Sequence, residues 1–339
     1  MTGATTKRAL LISPAFFGYE NDIVEELERQ GYATTFIDER PSNSAFMRAI
    51  VRVRKTLIER RIQAYYRAKF AEILHARFDR VLVIKAEVVP RWFLEQLRSQ
   101  NRQARFVFYT YDAISNADNC LDVIDLFDAR FTFDSDDQAD RPDFDYLPLF
   151  YTEDFKPLPS ESAFQPRRYD LSFLGTLHSD RYAFAKELFS HSQRVFGFFF
   201  VQARWYFALV KYVTREHKGV PWSDVSFRAL TRYEIARVFR ESHAVLDMQR
   251  AGQAGLTMRT FEVLASGSIL VTTNVAIERE PFYDPSRIIV VSDDVRSLDS
   301  AAINARLTNL PAPPEAPVGF EVYSLASWVN RVLNDGATP

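Results

Sequence analysis

One interruption in an otherwise regular pattern constrains this chain most. Short apolar runs alternate with helical stretches from residue 9 onward, the alternation stops at YTEDFKPLPSESAFQPRR (151–168), and it then restarts. Such alternation calls for parallel strands covered by helices on both faces. The break, with Pro157, Pro159 and Pro166 beside Ser160 and Ser162, reads as a linker. Before it, strands are expected at 9–13, 33–38, 80–85, 105–109, 130–133 and 144–147, with helices at 20–30, 45–76 and 91–100. After it, strands at 170–174, 194–199, 243–248, 269–273 and 287–291 alternate with helices at 180–190, 231–242 and 257–266. A Pro-rich connector at 311–317 leads to a last helix at 322–333. The pattern predicts α/β architecture in two Rossmann-like domains, 1–155 and 156–318, with 319–339 as a C-terminal helix packing back on the first.

Length agrees, since 339 residues at roughly 150 per domain suggest two. With 42 basic and 44 acidic residues the chain has no global electrostatic reason to bind nucleic acid. A single cysteine, Cys120, excludes internal disulfides and cysteine-cluster metal sites. The five histidines are scattered, so no metal is expected. No apolar run is long enough for a signal peptide or a membrane span, and the expected location is the cytoplasm. Glycine is scarce, 11 in the chain, so the turns that use it are informative.

The most informative turn lies in AGQAGLTMRTFEVLASGSILVTTN (251–274), where a strand feeds a loop holding Gly252 and Gly255, a helix beginning near Thr257, a stop at Gly267 and another strand. Helical spacing puts Met258, Phe261, Leu264 and Ala265 on one face, against a sheet, and Arg259 with Glu262 on another. At a helix start, where backbone N–H groups and the helix dipole favour negative charge, Arg259 would pair with a diphosphate and Glu262 would accept hydrogen bonds from ribose hydroxyls. Gly255, Leu256, Thr257 and Thr260 complete that candidate nucleotide-sugar site. A second turn, Gly175-Thr176 at a strand end with Arg181 opening the next helix, suits a pyrophosphate. It suits an ordinary strand-to-helix connection equally.

GLTMRTFEVLASG (255–267), together with YDLSFLGTLHSDR (169–181) and FDYLPLFY (144–151), resembles the CgeB-like glycosyltransferases, a group related to the retaining GT-B families. The resemblance covers Tyr169 to Asn274 by motif and the N-terminal half by order of elements alone. It implies a GT-B fold, two Rossmann-like domains with parallel sheets facing a central cleft, the first binding acceptor and the second binding nucleotide sugar. It also implies that Glu262, followed by four residues and Gly267, contacts the ribose. An earlier Glu found eight residues upstream in better-studied relatives is Ala254 here, so their mechanism and stereochemistry do not transfer directly.

No GxGxxG is present, which argues against NAD chemistry. Asp134-Ser135-Asp136 spells the DxD of metal-dependent transferases but reads better as an acidic helix start. In the first domain, Glu20, Glu87 and Asp112 follow strand ends and are the candidate catalytic bases for an acceptor hydroxyl. Residues 48–80 hold ten Lys or Arg against Glu59, Glu72 and Asp79, a solvated face, a peripheral contact with anionic lipid at the inner face of a membrane, or a hold on a pyrophosphate-linked acceptor. The aromatic stretch 196–212 could face a membrane, but reads better as core packing or acceptor-site lining. The expected protein is a metal- and cofactor-independent glycosyltransferase using a nucleotide diphosphate sugar and a cell-envelope glycan or lipid-linked acceptor. The alternative is a non-catalytic nucleotide-sugar-binding or surface-assembly protein of the same fold, kept open by Ala254.

Overall fold

The computed structural model describes residues 6–15, 17–42, 58–116, 118–158, 167–178, 180–249, 255–311 and 316–334. Two compact units emerge, one running to Pro148 and resuming at Leu325, the other spanning Leu149–Ser324.

In unit 1, strands β1 (Lys7–Ser13), β2 (Tyr32–Asp38), β3 (Arg80–Ile84), β4 (Arg105–Tyr109), β5 (Ala129–Thr132) and β6 (Asp145–Tyr146) form one parallel sheet in the order β2-β1-β3-β4-β5-β6. Interior strands read as unbroken apolar runs because helices cover both of their faces. Thus Leu10, Leu11 and Ile12 of β1 and Val81, Val83 and Ile84 of β3 are fully buried. Edge strand β2 alternates instead, with Tyr32 and Ile37 buried and Phe36 exposed. Helices α1 (Tyr19–Arg29), α2 (Glu59–Glu72), α3 (Arg91–Gln100) and α4 (Ser135–Asp140) connect these strands. Asp134 caps α4, its Oδ1 accepting the Asp136 N–H at 2.9 Å, so Asp134-Ser135-Asp136 is a helix start. Of the basic stretch 48–80, residues 48–57 lie outside the described residues. Within α2, Ile62 and Tyr66 enter the core while Arg60, Arg61 and Arg67 stay exposed.

In unit 2, β7 (Tyr169–Thr176), β8 (Val195–Phe200), β9 (Val225–Ser226), β10 (Ser242–Asp247), β11 (Ile269–Thr272) and β12 (Ile288–Val290) form a second parallel sheet, in the order β12-β11-β10-β7-β8-β9. Its helices are α5 (Arg181–Phe189), α6 (Arg204–Leu209), α7 (Arg232–Glu241), α8 (Met258–Ala265) and α9 (Ser300–Asn309), with a π turn at Val210–Thr214 prolonging α6. A capping box starts α7: the Thr231 hydroxyl accepts the Glu234 N–H at 3.2 Å and the Glu234 carboxylate accepts the Thr231 N–H at 2.8 Å. Helix α8 is apolar enough to sink into the fold, with Phe261, Val263, Leu264 and Ala265 fully buried. It stops at Gly267, whose φ of 73° is one that a side chain disfavours.

The stretch expected to be a linker begins differently. Phe150, Tyr151 and Phe155 are at most 1% exposed, Tyr151 stacks on Phe320 at 5.7 Å, and Phe155 meets Phe239 at 5.7 Å. Aromatic burial outweighs the turn-forming composition there, and residues 159–166 lie outside the described residues. After unit 2, α10 (Leu325–Leu333) belongs to unit 1. Its Trp328 is 1% exposed and meets Tyr109 edge-on at 4.8 Å, and Arg80 Nε donates to the Leu333 carbonyl at 3.1 Å.

Candidate functional site

From β7 the unit 2 chain winds outward to β8 and β9, then returns to β10 on the other side of β7 and winds out to β11 and β12. Winding reverses between β7 and β10, and in open parallel sheets ligands bind beyond the carboxyl ends of the strands at such a reversal. The residues meeting that condition are Gly175 and Thr176 on β7 and Asp247, Met248 and Gln249 on and after β10.

Asp247 organises the second group. It is 2% exposed, and its Oδ2 accepts the Thr257 hydroxyl at 2.9 Å and the Thr260 hydroxyl at 3.5 Å, tying the start of α8 to the end of β10. Arg259 Nη1 stands 3.8 Å from Asp247 Oδ1, an ion pair too long for a hydrogen bond, and Arg259 Nε is buried without a hydrogen-bond partner among the described residues. Arg181 reaches the same strand end, where Nη2 donates to the Met248 carbonyl at 2.9 Å. Gln249 closes the entry loop, its Nε2 donating to the Gly255 carbonyl at 2.7 Å and its N–H to the Thr273 hydroxyl at 3.0 Å. Two guanidinium groups and a helix start thus meet at consecutive residues of one strand end, a cationic corner suited to a phosphate-bearing ligand.

Of the other residues expected here, Gly255 and Leu256 are buried, Glu262 is 5% exposed on α8, and Thr176 is exposed. A Cβ on Gly175 would stand 2.8 Å from Cζ of Phe173, so a side chain there displaces a core ring. Gly252 and Ala254 lie outside the described residues. Asp247 and Gln249 are not among the residues the sequence pattern singles out, because in the second domain that pattern draws attention to the strand end at Gly175-Thr176 and to the glycine loop before Thr257. The signal was the apolar run AVL ending in an acid at Asp247.

Unit 1 reverses its winding between β1 and β3, and the candidate bases lie near that reversal. Glu20, in the first turn of α1, is 9% exposed. Tyr111 has its phenol pushed up by burial and then by the Glu20 and Asp22 charges, which keeps it a neutral hydroxyl. Lys85 joins the other two, with Nζ 2.5 Å from Asp112 Oδ2 and 3.7 Å from Glu87 Oε2, while Arg40 Nη2 donates to Glu87 Oε2 at 2.6 Å. Backbone strain marks the same turn: Lys85 and Ala86 adopt φ of 79° and 50°. A further acid appears behind them. Glu39 is fully buried, its Oε1 accepts the Val88 N–H at 3.0 Å, and its Oε2 has no hydrogen-bond partner among the described residues. Burial above all pushes its carboxyl up from 4.5 to about 7, with Arg40 and Lys85 pulling down and Glu87 adding to the rise.

Residues 201–310 match the model of a family described as glycosyl transferase-like. No curated protein matches the chain. Solved structures do. Sucrose-phosphate synthase from Thermosynechococcus elongatus is similar at 10% identity over 97% of this chain and 95% of that one, with a TM-score of 0.61. HepE of Anabaena, solved with UDP and glucose, is similar at 11% identity over 96% and 98%, again with a TM-score of 0.61. The UDP-forming α,α-trehalose-phosphate synthase of Burkholderia xenovorans, solved with glucose-6-phosphate, is similar at 12% identity over 98% and 100%, with a TM-score of 0.57. The fold is therefore GT-B-like, and residues 201–310 carry a glycosyl transferase-like domain.

Proposed function

We propose that this chain moves a sugar from a nucleotide diphosphate sugar to a cell-envelope glycan or glycolipid acceptor, as a CgeB-like glycosyltransferase without a bound metal. The observation that carries this reading is the meeting of Arg181 and Arg259 at Met248 and Asp247, on the strand end where winding reverses and where α8 begins. As the bond to the sugar breaks, negative charge builds on the leaving diphosphate. Fixed cations and backbone N–H groups of the α8 start would stabilise that charge without reorganising, and positioning would supply much of the rest. Gly175 and Thr176 border the same corner, and Glu262 would accept from the ribose. Among the candidate bases, Asp112 is the accessible one, its side chain 41% exposed against 9% for Glu87.

A panel of nucleotide diphosphate sugars screened for thermal stabilisation, with product detection on the best ligand, identifies the donor and separates transfer from mere binding. In Arg259→Ala, affinity for the matching nucleotide diphosphate falls by roughly 2 to 5 kcal/mol, the scale for removing one member of a desolvated charge pair. Unchanged affinity in a folded variant overturns the assignment. Transfer persists in chelator; loss that magnesium or manganese restores overturns the metal-independent step.

A further inference from the structure

Nearly half of the exposed large apolar side chains in unit 2 crowd into one segment. Trp205, Tyr206, Leu209, Tyr212 and Val213 are 72%, 47%, 44%, 62% and 69% exposed, and Trp222 is 39% exposed. Helix geometry explains the layout: Phe207 and Val210 turn inward, while Trp205, Leu209 and Tyr212, four and three residues apart, share the outward face. Trp222 is tied to the same surface by its Nε1, which donates to the Tyr212 hydroxyl at 3.2 Å. Trp222 also packs edge-on against buried Phe207 at 4.7 Å, whereas Trp205, Tyr206, Leu209, Tyr212 and Val213 stand 44% or more exposed. The core packing expected of 196–212 therefore fails for Trp205, Tyr206 and Tyr212, and holds for Phe199 and Phe207.

Charge says what covers them. Between residues 204 and 222 stand Arg204, Lys211, Arg215 and Lys218 against a single acid, Glu216. Arg204, Arg215 and Lys218 are exposed, whereas Lys211 is held by the Lys218 and Val220 carbonyls. We propose that Trp205, Leu209 and Tyr212, with Arg204, Arg215 and Lys218, form a surface that rests on an anionic lipid bilayer. Tryptophan and tyrosine seat an apolar body in the acyl boundary and a polar tip among headgroups, and the cations meet lipid phosphate. A two-fold dimer through this patch would set the same cations against their own copies, which is repulsive. Glycan recognition favours carboxylate or amide acceptors beside the rings, and between residues 204 and 222 Glu216 is the one such side chain in the sequence.

The surface also has a place in the fold. Phe200, at the end of β8, pairs in register with Thr176, and α6 starts at Arg204, so the patch leaves the sheet on the same edge as the Gly175-Thr176 turn. An enzyme resting on this face would keep that edge toward the bilayer.

The full-length protein is sedimented with vesicles of phosphatidylcholine alone and of phosphatidylcholine with phosphatidylglycerol, without donor, so the result stands apart from the proposed transfer. The protein is expected to pellet with the anionic vesicles and to shift its tryptophan emission to the blue. The triple variant Trp205→Ser, Leu209→Ser, Tyr212→Ser loses about tenfold or more in partitioning. The variant Arg204→Gln, Arg215→Gln, Lys218→Gln loses about fivefold for each exposed charge and with it the preference for anionic lipid. Unchanged melting temperatures show that both variants fold. Failure of the parent protein to bind either vesicle, or equal binding by the serine variant, overturns the proposal. So does a concentration-dependent dimer that the serine variant abolishes, which would make the patch an interface between copies.

Discussion

Both units wind their sheets the same way around a reversal, β1 to β3 in one and β7 to β10 in the other, yet they load the strand ends differently. In unit 2 a single buried acid, Asp247, is satisfied by two threonine hydroxyls and faced at 3.8 Å by Arg259. In unit 1 the corresponding turns hold Arg40, Lys85, Glu87 and Asp112, linked by ion pairs of 2.5 to 3.7 Å, with Glu39 buried behind them. One reversal leaves cations able to exchange an intramolecular partner for a ligand. The other consumes its charges internally and stores strain at Lys85 and Ala86. Topology chooses where a site can be, and side-chain chemistry decides what kind.

The largest effect that would break this contrast belongs to Glu39. In the unfolded chain it ionises near 4.5, and in the folded protein near 7. Its raised value means that the stability it contributes is complete below 4.5 and lost as pH rises through about 7. Glu39→Gln stays neutral and keeps an acceptor for Val88, so unfolding free energy followed by denaturant melts should lose its decline across that window. Above it the variant should exceed the parent by roughly 3 kcal/mol. An unaltered pH slope would show that Glu39 ionises without cost.

A smaller effect is expected in unit 2. Asp247→Ala strands two hydroxyls and Arg259, lowering stability by roughly 2 kcal/mol, read by the same melts. A neutral result would mean that the start of α8 is held by packing alone. Smallest is Thr257→Val, at about 1 kcal/mol, most of which should vanish when Asp247 is already alanine. Full additivity of the pair would break the claim that this hydroxyl and carboxylate act together.

Much of this framework was legible in the sequence because periodicity reports burial directly. Strands such as β1 and β10 are apolar runs, and α8 carries its face and its stop at Gly267 in plain order. What escaped had no such signature. Helix α9 buries Ser300, Asn304 and Leu307, mostly polar residues that no hydrophobic period marks. Glu39 follows Asp38 and precedes Arg40, a sequence that looks like a solvated loop, and only the strands and α2 packed around it reveal its burial. The aromatics of 204–222 were visible as residues, but direction was not, because their outward turn depends on where Phe207 finds Trp222 and Phe227. Gly319, with a φ of 76°, is a constrained turn that no apolar period announces.

The return of α10 to unit 1 has a consequence for the order of events during synthesis. Unit 1 starts first and is completed last, because Trp328 must reach Tyr109 after all of unit 2 has been made. Unit 2 is a continuous span and can close its sheet while the first sheet still lacks the helix that covers Tyr109, reversing the usual N-terminal-first sequence. A chain ending at Ser324 would therefore hold every residue of the second unit and a first unit lacking α10.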